Sequence, residues 1–284
     1  MYGTNRSSDG TARSALPAGA PYSPWGNMMG KIIALFNQKG GVGKTTTGVN
    51  LCASLVRMGR RVLLVDVDPQ GHSTSGMGVD KNAASPNVYD VLIGGTDARL
   101  AVKKTRYGDV LPANKGLFGV GVRLTDMERR EFRLADALEP LRAEYDYIFI
   151  DCPALLELLT VNALTAADTL LIPVQCEYLA LEGLSDLMAT VRMMKAGLNP
   201  GLEIEGILLT MYDGRTNLSP QVAAEVRRYF KDKVFKTVIP RNVRLSEAPS
   251  HKKPVTAYDI GSRGAKAYLD LAGELDSHGA RRMK

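Results

Sequence analysis

The residues with the clearest chemical potential lie in the stretch Asn37–Thr47, which reads Asn-Gln-Lys-Gly-Gly-Val-Gly-Lys-Thr-Thr-Thr. An apolar run, Lys31–Phe36, precedes it, and an apolar-periodic segment, Val49–Met58, follows it. A strand, a glycine-rich loop and a helix in this order predict a phosphate-binding loop, because glycines let backbone N–H groups turn towards an anion at a helix N-terminus. Lys44 is expected to contact the β- and γ-phosphates of a nucleotide, and the Thr45 hydroxyl to bind Mg²⁺.

Two further segments place carboxylates at the ends of apolar strands. Arg61–Gly71 runs through four apolar residues into Asp66 and Asp68, and a second apolar strand ends at Asp151. Ligands of open parallel sheets bind beyond the carboxyl ends of the strands, so these acids should lie near the glycine loop. We therefore predict that Thr45, Asp66 and Asp151 bind Mg²⁺ and that Asp68 assists hydrolysis. The alternative for each acid is a side chain that only caps the following turn.

The positive charge of the chain is concentrated in one segment. The net charge is +6, and the residues from Arg215 to Lys253 include ten Lys or Arg but only three acids. A localised basic surface suggests a polyanionic partner, with a solvated basic face as the alternative. Arg215 and Arg244 lie on predicted loops after strands, where long cations can reach phosphates. No aromatic stacking set accompanies them, which favours contact with the phosphate backbone of such a polyanion without base readout.

Length and composition are those of a globular protein. The chain has 284 residues, of which 45% are hydrophobic and 23% charged, so one large α/β domain is possible. Its three cysteines, Cys52, Cys152 and Cys176, show no paired or metal-ligand spacing, which favours reduced thiols and a cytoplasmic location. The sequence contains no uninterrupted apolar run of about 18 residues, so no membrane span and no membrane partner are expected.

Apolar strands alternate with helical patterns from Lys31 onward, which predicts an α/β fold with a mostly parallel, twisted sheet and helices on both faces. The predicted strands are Lys31–Phe36, Arg61–Asp66, Asp109–Leu111, Tyr147–Asp151, Thr169–Val174, Ile204–Thr210 and Val234–Ile239. The predicted helices are Thr45–Met58, Asn87–Ile93, Asp126–Arg142, Glu157–Ala166, Ala180–Lys195, Ser219–Lys231 and Ser262–Leu275. We expect a disordered N-terminal extension at residues 1–28, one ATPase domain at 29–276 and a flexible tail at 277–284.

The loop sequence Lys-Gly-Gly-Val-Gly-Lys-Thr-Thr at residues 39–46 resembles the deviant Walker A motif of the ParA/MinD superfamily of P-loop ATPases. Gln38 stands where the usual motif has its first glycine, and Lys39 adds a lysine at the start of the loop. In that superfamily the matching lysine reaches the phosphates of the partner subunit in a nucleotide-sandwich dimer. The resemblance therefore implies a catalytic role for Lys39 across a dimer interface. Residues 65–71 resemble the D-x-D-P-Q motif of partition ATPases, whose second Asp, here Asp68, assists the attacking water.

Three further blocks, at residues 173–184, 211–218 and 239–251, resemble the chromosomal ParA (Soj) branch. This resemblance extends over nearly all of residues 31–275. It implies a weak, DNA- and partner-stimulated ATPase of chromosome segregation that uses ATP and Mg²⁺. It also implies an ATP-dependent homodimer on non-specific double-stranded DNA, located at the nucleoid, with a ParB/Spo0J-like centromere-binding partner. The implied DNA contacts are Arg215 and Arg244. The implied nucleotide contacts are Gly40, Gly41, Val42, Gly43, Lys44, Thr45, Thr46, Met211, Pro240, Arg241 and Asn242.

Two segments depart from the pattern of this branch. After Asp151 the chain has residues that replace a proline, a serine and a glycine, and within 112–124 it has residues that remove two carboxylates. Neither departure changes the phosphate loop, so we expect normal nucleotide binding but weaker stimulation by a ParB-type activator. The departing residues are Ala154, Leu155 and Glu157 in the first segment and Phe118, Gly121 and Arg123 in the second.

Three alternatives remain open at this point. A MinD-like, membrane-cycling regulator of division-site placement would need a terminal amphipathic helix, whereas the last residues of this sequence lack an apolar face. A metabolic or metal-cluster enzyme with the same loop would need a cysteine pair or a substrate pocket. An orphan regulator would bind ATP and DNA but would have lost its response to a partner.

Overall fold

The computed structural model describes residues 29–178 and 180–281. At its centre is a six-stranded sheet in the order β3-β2-β4-β1-β5-β6, and every pair of neighbouring strands is parallel. The predicted parallel α/β sheet is therefore confirmed. The strands are β1 (Lys31–Leu35), β2 (Val62–Asp66), β3 (Asp109–Leu111), β4 (Tyr147–Asp151), β5 (Thr169–Gln175) and β6 (Glu203–Thr210).

Helices follow most of the strands. Within the described residues they are α1 (Lys44–Arg57), α2 (His72–Gly76), α3 (Val88–Leu92), α4 (Ala98–Ala101), α5 (Val120–Thr125), α6 (Arg133–Leu138), α7 (Leu158–Ala166), α8 (Ala180–Gly197), α9 (Leu218–Phe230), α10 (Val243–Glu247), α11 (Val255–Tyr258) and α12 (Arg263–Arg281).

Both faces of the sheet are buried, which explains why its central strands read as continuous apolar runs. Successive residues of β1 alternate between two hydrophobic cores, with Ile32 in the first and Ile33 in the second. Residues of α3 to α9 cover the first core, and residues of α1 and α10 to α12 cover the second. Every residue of β2 and β4 is buried. The acids at the ends of these two strands are consequently held in a low-dielectric environment.

The prediction of a seventh strand at Val234–Ile239 is wrong. Two backbone N–H groups of this segment bond to carbonyls of β6, but only isolated bridges form. The N–H groups of Lys236 and Thr237 donate instead to the carboxylate of Glu274 on α12, at 2.7 and 2.9 Å. A carboxylate from a distant helix thus takes the donors that a continuous ladder would need.

The predicted helix Asp126–Arg142 is also wrong, because residues 126–132 form an irregular turn after α5 and only α6 and a short 3-10 turn, Glu139–Leu141, form within the predicted span. Asp126 is the C-cap of α5, and the turn contains Arg129 in the left-handed region at φ 52°. The Arg129 guanidinium binds both carboxylate oxygens of Asp136, at 2.7 and 3.1 Å, across the turn. This local ion pair favours the break that the helical periodicity did not predict.

The structure describes part of the predicted C-terminal tail but none of the predicted N-terminal extension. The flexible tail at 277–284 overlaps α12, which continues to Arg281. The extension at 1–28 lies outside the described residues, so its disorder stays a prediction. Among residues 29–178 and 180–281, no helix combines the length and apolar character needed to cross a bilayer.

Candidate nucleotide and metal site

The glycine-rich loop joins the carboxyl end of β1 to the N-terminus of α1. Gly41 and Gly43 have φ values of 75° and 94°, in the left-handed region that favours glycine. Gly43 is the N-cap of α1, and neither a capping side chain nor an acid in the first turn satisfies the N-terminal N–H groups. The first turn of a 14-residue helix is therefore open to an external anion.

Side chains from neighbouring strands and the loop itself fix the loop in place. The Asn37 amide donates to the Pro173 carbonyl on β5 at 2.8 Å, and its oxygen accepts from the Lys39 N–H at 2.9 Å. The Thr210 hydroxyl, at the end of β6, donates to the Val42 carbonyl at 2.8 Å. The loop geometry is thus preorganised by the sheet.

Lys44 is almost completely buried beneath this loop. Its ammonium donates to the carbonyls of Asn37 at 2.9 Å and Lys39 at 3.2 Å. Burial lowers the pKa of Lys44, and the nearby Asp151 charge counteracts part of that effect. The Lys44 ammonium is therefore bonded to carbonyls of the same loop that the sequence predicts to bind phosphate.

The second lysine of the motif has a different environment. The Lys39 ammonium forms an ion pair with Glu177, which follows β5. The two side chains are 39% and 36% exposed, so solvent reaches the pair and either group can exchange its partner. Glu177 was not among the predicted site residues, and its separation of 138 residues from Lys39 gives no local signal.

Asp66 and Asp151 are register partners at the carboxyl ends of β2 and β4, and both are fully buried. Burial raises the pKa of each carboxyl. Repulsion from Asp151 raises the pKa of Asp66 further, and the Asp68 charge does the same for Asp151. Such a pair retains its proton to higher pH than ordinary carboxylates unless a cation is present.

The two acids differ in their remaining capacity to accept. Both Asp66 oxygens are occupied: they accept from the Thr74 N–H and hydroxyl, at 2.8 and 2.7 Å, and from the Asp68 N–H at 3.1 Å. One oxygen of Asp151 accepts from the Ser73 hydroxyl, whereas Oδ1 is buried and has no hydrogen-bond partner. The free oxygen of Asp151 is the one that can serve a cation, so a metal role for Asp66 remains only a prediction.

Thr45 and Asp68 complete the surroundings of Asp151. The nearby Thr45 side chain, in the first turn of α1, lowers the pKa of Asp151 and opposes the effect of burial, and the Asp68 charge acts on both Asp151 and Lys44. Asp68 is partly exposed on the loop after β2, where its Oδ1 accepts from the Gln70 N–H at 2.9 Å. A partly exposed carboxylate can contact a water molecule that arrives from solvent.

The two segments around Met211 and Pro240, both predicted to contact the nucleotide, are brought together next to the loop. Met211 follows Thr210 and adopts a left-handed conformation at φ 50°. Tyr212 then bridges to Pro240, and the Arg241 N–H donates to the Tyr212 carbonyl at 3.0 Å. The Asn242 side chain, however, caps α10. Its side-chain oxygen accepts from the Arg244 N–H at 3.1 Å and is therefore already occupied within the protein.

The two predicted DNA contacts are exposed, and each is paired with an acid of its own chain. Arg215, with 88% of its side chain exposed, binds both oxygens of Asp213 at 2.9 and 2.7 Å and lowers the pKa of that carboxyl. Arg244 contacts Glu247 at 2.7 Å and Asp259 at 3.1 Å. Contact with DNA would require these exposed guanidinium groups to exchange carboxylates for phosphates.

Two residues that support the site were missed in the sequence. Ser73 and Thr74, in the first turn of α2, hold Asp151 and Asp66 respectively. These two residues follow the D-x-D-P-Q-G motif after a single histidine, His72, and this spacing is a signal that could have identified them. The described part of the chain has no cluster of three or more His, Cys, Asp or Glu suited to a metal. Mg²⁺ does not need one, because it keeps waters and binds substrate phosphates with one or two carboxylates.

Comparison with known proteins shows which proteins resemble this chain. A family model described as an AAA domain matches residues 30–204. The sporulation initiation inhibitor protein Soj of Bacillus subtilis is 59% identical over 253 residues, covering 88% of this chain and 100% of that protein. The chromosome partitioning protein ParA of Myxococcus xanthus is 54% identical over 265 residues, covering 93% of each. A solved structure of cobyrinic acid a,c-diamide synthase from Mycobacterium smegmatis, with bound ADP and magnesium, is 38% identical with a TM-score of 0.78, covering 89% of this chain and 96% of that one.

A glycine loop between β1 and α1, with a buried acid at the end of the adjacent β4, defines a P-loop protein of the α/β class. The extent of the sequence identity narrows this class. The chain belongs to the Soj/ParA family of chromosome-partitioning ATPases, which confirms the resemblance drawn from its motifs.

Proposed function

We propose that the protein binds ATP and Mg²⁺ at the β1–α1 loop and uses ATP hydrolysis to control its binding to DNA during chromosome segregation. The observation that carries the nucleotide site is the open N-terminus of α1 beside the unpartnered Oδ1 of Asp151. The first is suited to phosphate and the second to a cation or one of its waters.

Each residue of the site has a distinct task in this proposal. The loop N–H groups bind the phosphates, and Lys44 gives up its two loop carbonyls to contact the β- and γ-phosphates. Thr45 and Asp151 hold Mg²⁺, which when bound would neutralise charge on the phosphates. Asp68 orients the attacking water. Asp66 mainly positions α2 through Thr74, and through it the Ser73 hydroxyl on Asp151.

The same proposal gives Lys39 and Gly40 a role between two subunits. Lys39 leaves Glu177 and reaches the phosphates of a second copy when ATP is bound. Gly40 is exposed, and a Cβ built on it meets no atom within 4 Å, so its surroundings in one subunit leave room for a partner. Dimerisation then doubles the number of cations presented to DNA, which makes affinity depend steeply on the nucleotide state and on salt.

Non-specific double-stranded DNA is the proposed ligand of Arg215 and Arg244, and a ParB-like protein that binds centromere-like sites is the proposed activator. The relatives named for chromosome partitioning support this assignment. The segment that departs from the family pattern exposes Phe118, on the loop before α5, by 57%, and Val122, on α5, by 76%. We place the activator at this face, where the missing carboxylates should weaken its effect.

The proposal is tested by DNA binding with ATP, with ADP and without nucleotide, each at two salt concentrations. We expect tight binding only with ATP, and Asp68→Ala should bind ATP yet remain on DNA because hydrolysis stops. Arg215→Ala and Arg244→Ala should each reduce the salt slope by roughly one unit per phosphate that is no longer bound, alike for unrelated sequences. Arg99→Ala is the matched control, since Arg99 is also an exposed arginine paired with acids.

Two results would contradict the proposal. Equal DNA binding with ADP and with ATP would show that the nucleotide does not control DNA binding. Hydrolysis at the wild-type rate in Asp68→Ala would remove Asp68 from the mechanism.

A further inference from the structure

A single buried hydroxyl joins the acids of the site to the segment that follows β3. Thr74 is completely buried in the first turn of α2. Its hydroxyl donates to Asp66 at 2.7 Å and accepts from the Ala113 N–H at 2.9 Å. Ala113 follows β3 and is also fully buried. The Thr74 hydroxyl therefore connects two parts of the chain that are 39 residues apart in sequence.

The loop that carries Asp68 lies against the same alanine. The Gly71 N–H donates to the Asp68 carbonyl at 2.9 Å and closes a turn that begins at Asp68. A Cβ built on Gly71 would lie 2.9 Å from the Ala113 carbonyl oxygen, which is closer than side chains tolerate. Ala113 thus contacts the Asp68 turn directly at Gly71 and is tied to its neighbourhood a second time through Thr74.

Ala113 also begins the segment that leads to the proposed activator face. The Asn114 side chain accepts from the Gly116 N–H at 2.8 Å and caps the short 3-10 turn Lys115–Leu117. Val120, the first residue of α5, is 1% exposed and belongs to the same hydrophobic core as Ala113. Because close-packed interiors transmit strain, a displacement of α5 should be passed on to Ala113.

We propose that Thr74 is a positioning residue for hydrolysis, whose hydroxyl ties the Asp68 turn to Ala113 so that the segment from Ala113 to α5 sets the position of Asp68. This inference rests on the proposed role of Asp68 and adds the contact through which an activator at α5 reaches it. A misplacement of about 1 Å is enough to slow a reaction that depends on orientation, so loss of this tie should slow hydrolysis. ATP binding should not change, because the hydroxyl of Thr74 bonds to Asp66 and Ala113, both outside the glycine loop.

The first experiment compares ATP hydrolysis and ATP affinity in wild type, Thr74→Val and Thr74→Ser. Valine has the shape of threonine, and the backbone N–H of residue 74, at 2.8 Å from Asp66, still holds that carboxylate. We expect kcat of Thr74→Val to fall on the order of tenfold, with the affinity for a slowly hydrolysed ATP analogue within about twofold of wild type. Serine restores the hydroxyl and should recover most of the lost kcat.

Thr105→Val is the matched control for loss of a threonine hydroxyl. The Thr105 hydroxyl donates to the Gly108 carbonyl at 2.6 Å and accepts from the Tyr107 N–H at 3.0 Å. It lies before β3, at the amino end of a parallel strand, whereas the site lies beyond the carboxyl ends. Thr105→Val should therefore lose stability without losing kcat. Equal losses of kcat in Thr105→Val and Thr74→Val would overturn the proposal, because reduced stability would explain both.

The hydrogen bond itself is tested without nucleotide by amide hydrogen exchange. The Ala113 amide should exchange on the order of tenfold faster in Thr74→Val than in wild type, because it loses its acceptor, and Thr74→Ser should restore its protection. Unchanged exchange in Thr74→Val would overturn the proposal.

A double-mutant cycle tests whether the segment acts through Thr74. Asn114→Ala removes the cap next to Ala113 and should lower kcat by about threefold in wild type, but it should have almost no further effect in Thr74→Val, where the tie is already broken. Independent effects of the two substitutions would overturn the proposal. Unchanged kcat in Asn114→Ala alone would do the same, and this single variant decides the matter if Thr74→Val does not fold.

Asp68→Ala separates failure of this inference from failure of the proposed function. Hydrolysis at the wild-type rate in Asp68→Ala would overturn both. If hydrolysis stops in Asp68→Ala while kcat is unchanged in Thr74→Val, Asp68 keeps its role and only the positioning by Thr74 is overturned. A parallel loss of kcat and ATP affinity in Thr74→Val would also overturn the inference, because Thr74 would then support the nucleotide site as a whole.

Discussion

Replacing Asp151 with asparagine is expected to stabilise the protein at pH 8 in the absence of nucleotide and Mg²⁺. Asp151 and Asp66 are register partners on neighbouring strands, and such strands lie about 4.8 Å apart. With both carboxylates ionised, an effective dielectric constant of about 20 gives a repulsion of roughly 3 kcal/mol. Because Lys44 offsets part of this repulsion, we expect the free energy of unfolding to rise by about 1 to 3 kcal/mol in Asp151→Asn.

Asparagine preserves the shape and volume of the Asp151 side chain. The asparagine oxygen can still accept from the Ser73 hydroxyl, and the new amide takes the place of the oxygen that has no partner. The volume is unchanged, but the amide N–H groups stand where the carboxylate oxygen has no partner, so they oppose the electrostatic gain and favour the lower end of the expected range. Asp68→Asn is the matched control, since it makes the same chemical change on a partly exposed loop residue and should alter stability by less than about 1 kcal/mol.

The size of the effect should depend on pH with a definite sign. The folded-state pKa values of Asp66 and Asp151 are raised, mainly by burial, above the unfolded values near 4. A raised pKa contributes stability that is fully present below the unfolded pKa and is lost as the pH rises through the folded pKa. Wild type should lose this contribution between about pH 4 and about pH 7. The advantage of Asp151→Asn should consequently be largest at pH 8 and small near pH 5.

The assay is urea denaturation in EDTA at the two pH values, repeated with Mg²⁺ and a slowly hydrolysed ATP analogue. Wild type should gain stability from the nucleotide and metal, because they neutralise the buried charges, and Asp151→Asn should gain less. If Asp151→Asn were less stable than wild type at pH 8 in EDTA, the reasoning would be refuted. Attraction of Asp151 to Lys44 would then outweigh its repulsion from Asp66.

The remaining predictions concern the loop and the proposed activator face. Lys44→Ala should abolish productive nucleotide binding, measured with a fluorescent ATP analogue, because it removes the charge that contacts the β- and γ-phosphates. Gly40→Val should fold and bind ATP, since a Cβ there meets no atom within 4 Å, but it should not form an ATP-dependent dimer; a normal dimer by light scattering would contradict this subunit contact. Gly121→Glu combined with Arg123→Glu should increase the stimulation of hydrolysis by a ParB-type activator. Each restored carboxylate should strengthen binding of a basic activator segment by about 1 kcal/mol or less. Strong stimulation of the wild type already would show that α5 is not the docking surface.

Sequence alone was sufficient for features that depend on neighbouring residues. The glycine spacing of the loop, the acids at the ends of β2 and β4 and the alternation of strands with helices are all local patterns. They predicted six parallel strands to within two residues at each end. The family motif extended this reasoning, because it identified the Soj/ParA family from short blocks of residues.

Tertiary structure decided what depends on groups far apart in the sequence. Glu274 removed the seventh strand, Glu177 became the partner of Lys39, and Thr74 occupied one oxygen of Asp66 with both its N–H and its hydroxyl. The charge state of a side chain, and which of its atoms remain free to bind a ligand, depend on the groups that pack against it after folding. Residue spacing along the sequence does not identify those groups. For the same reason the sequence could mark Arg215 and Arg244 as cations for phosphate, but only the fold shows that each is paired with an acid of its own chain.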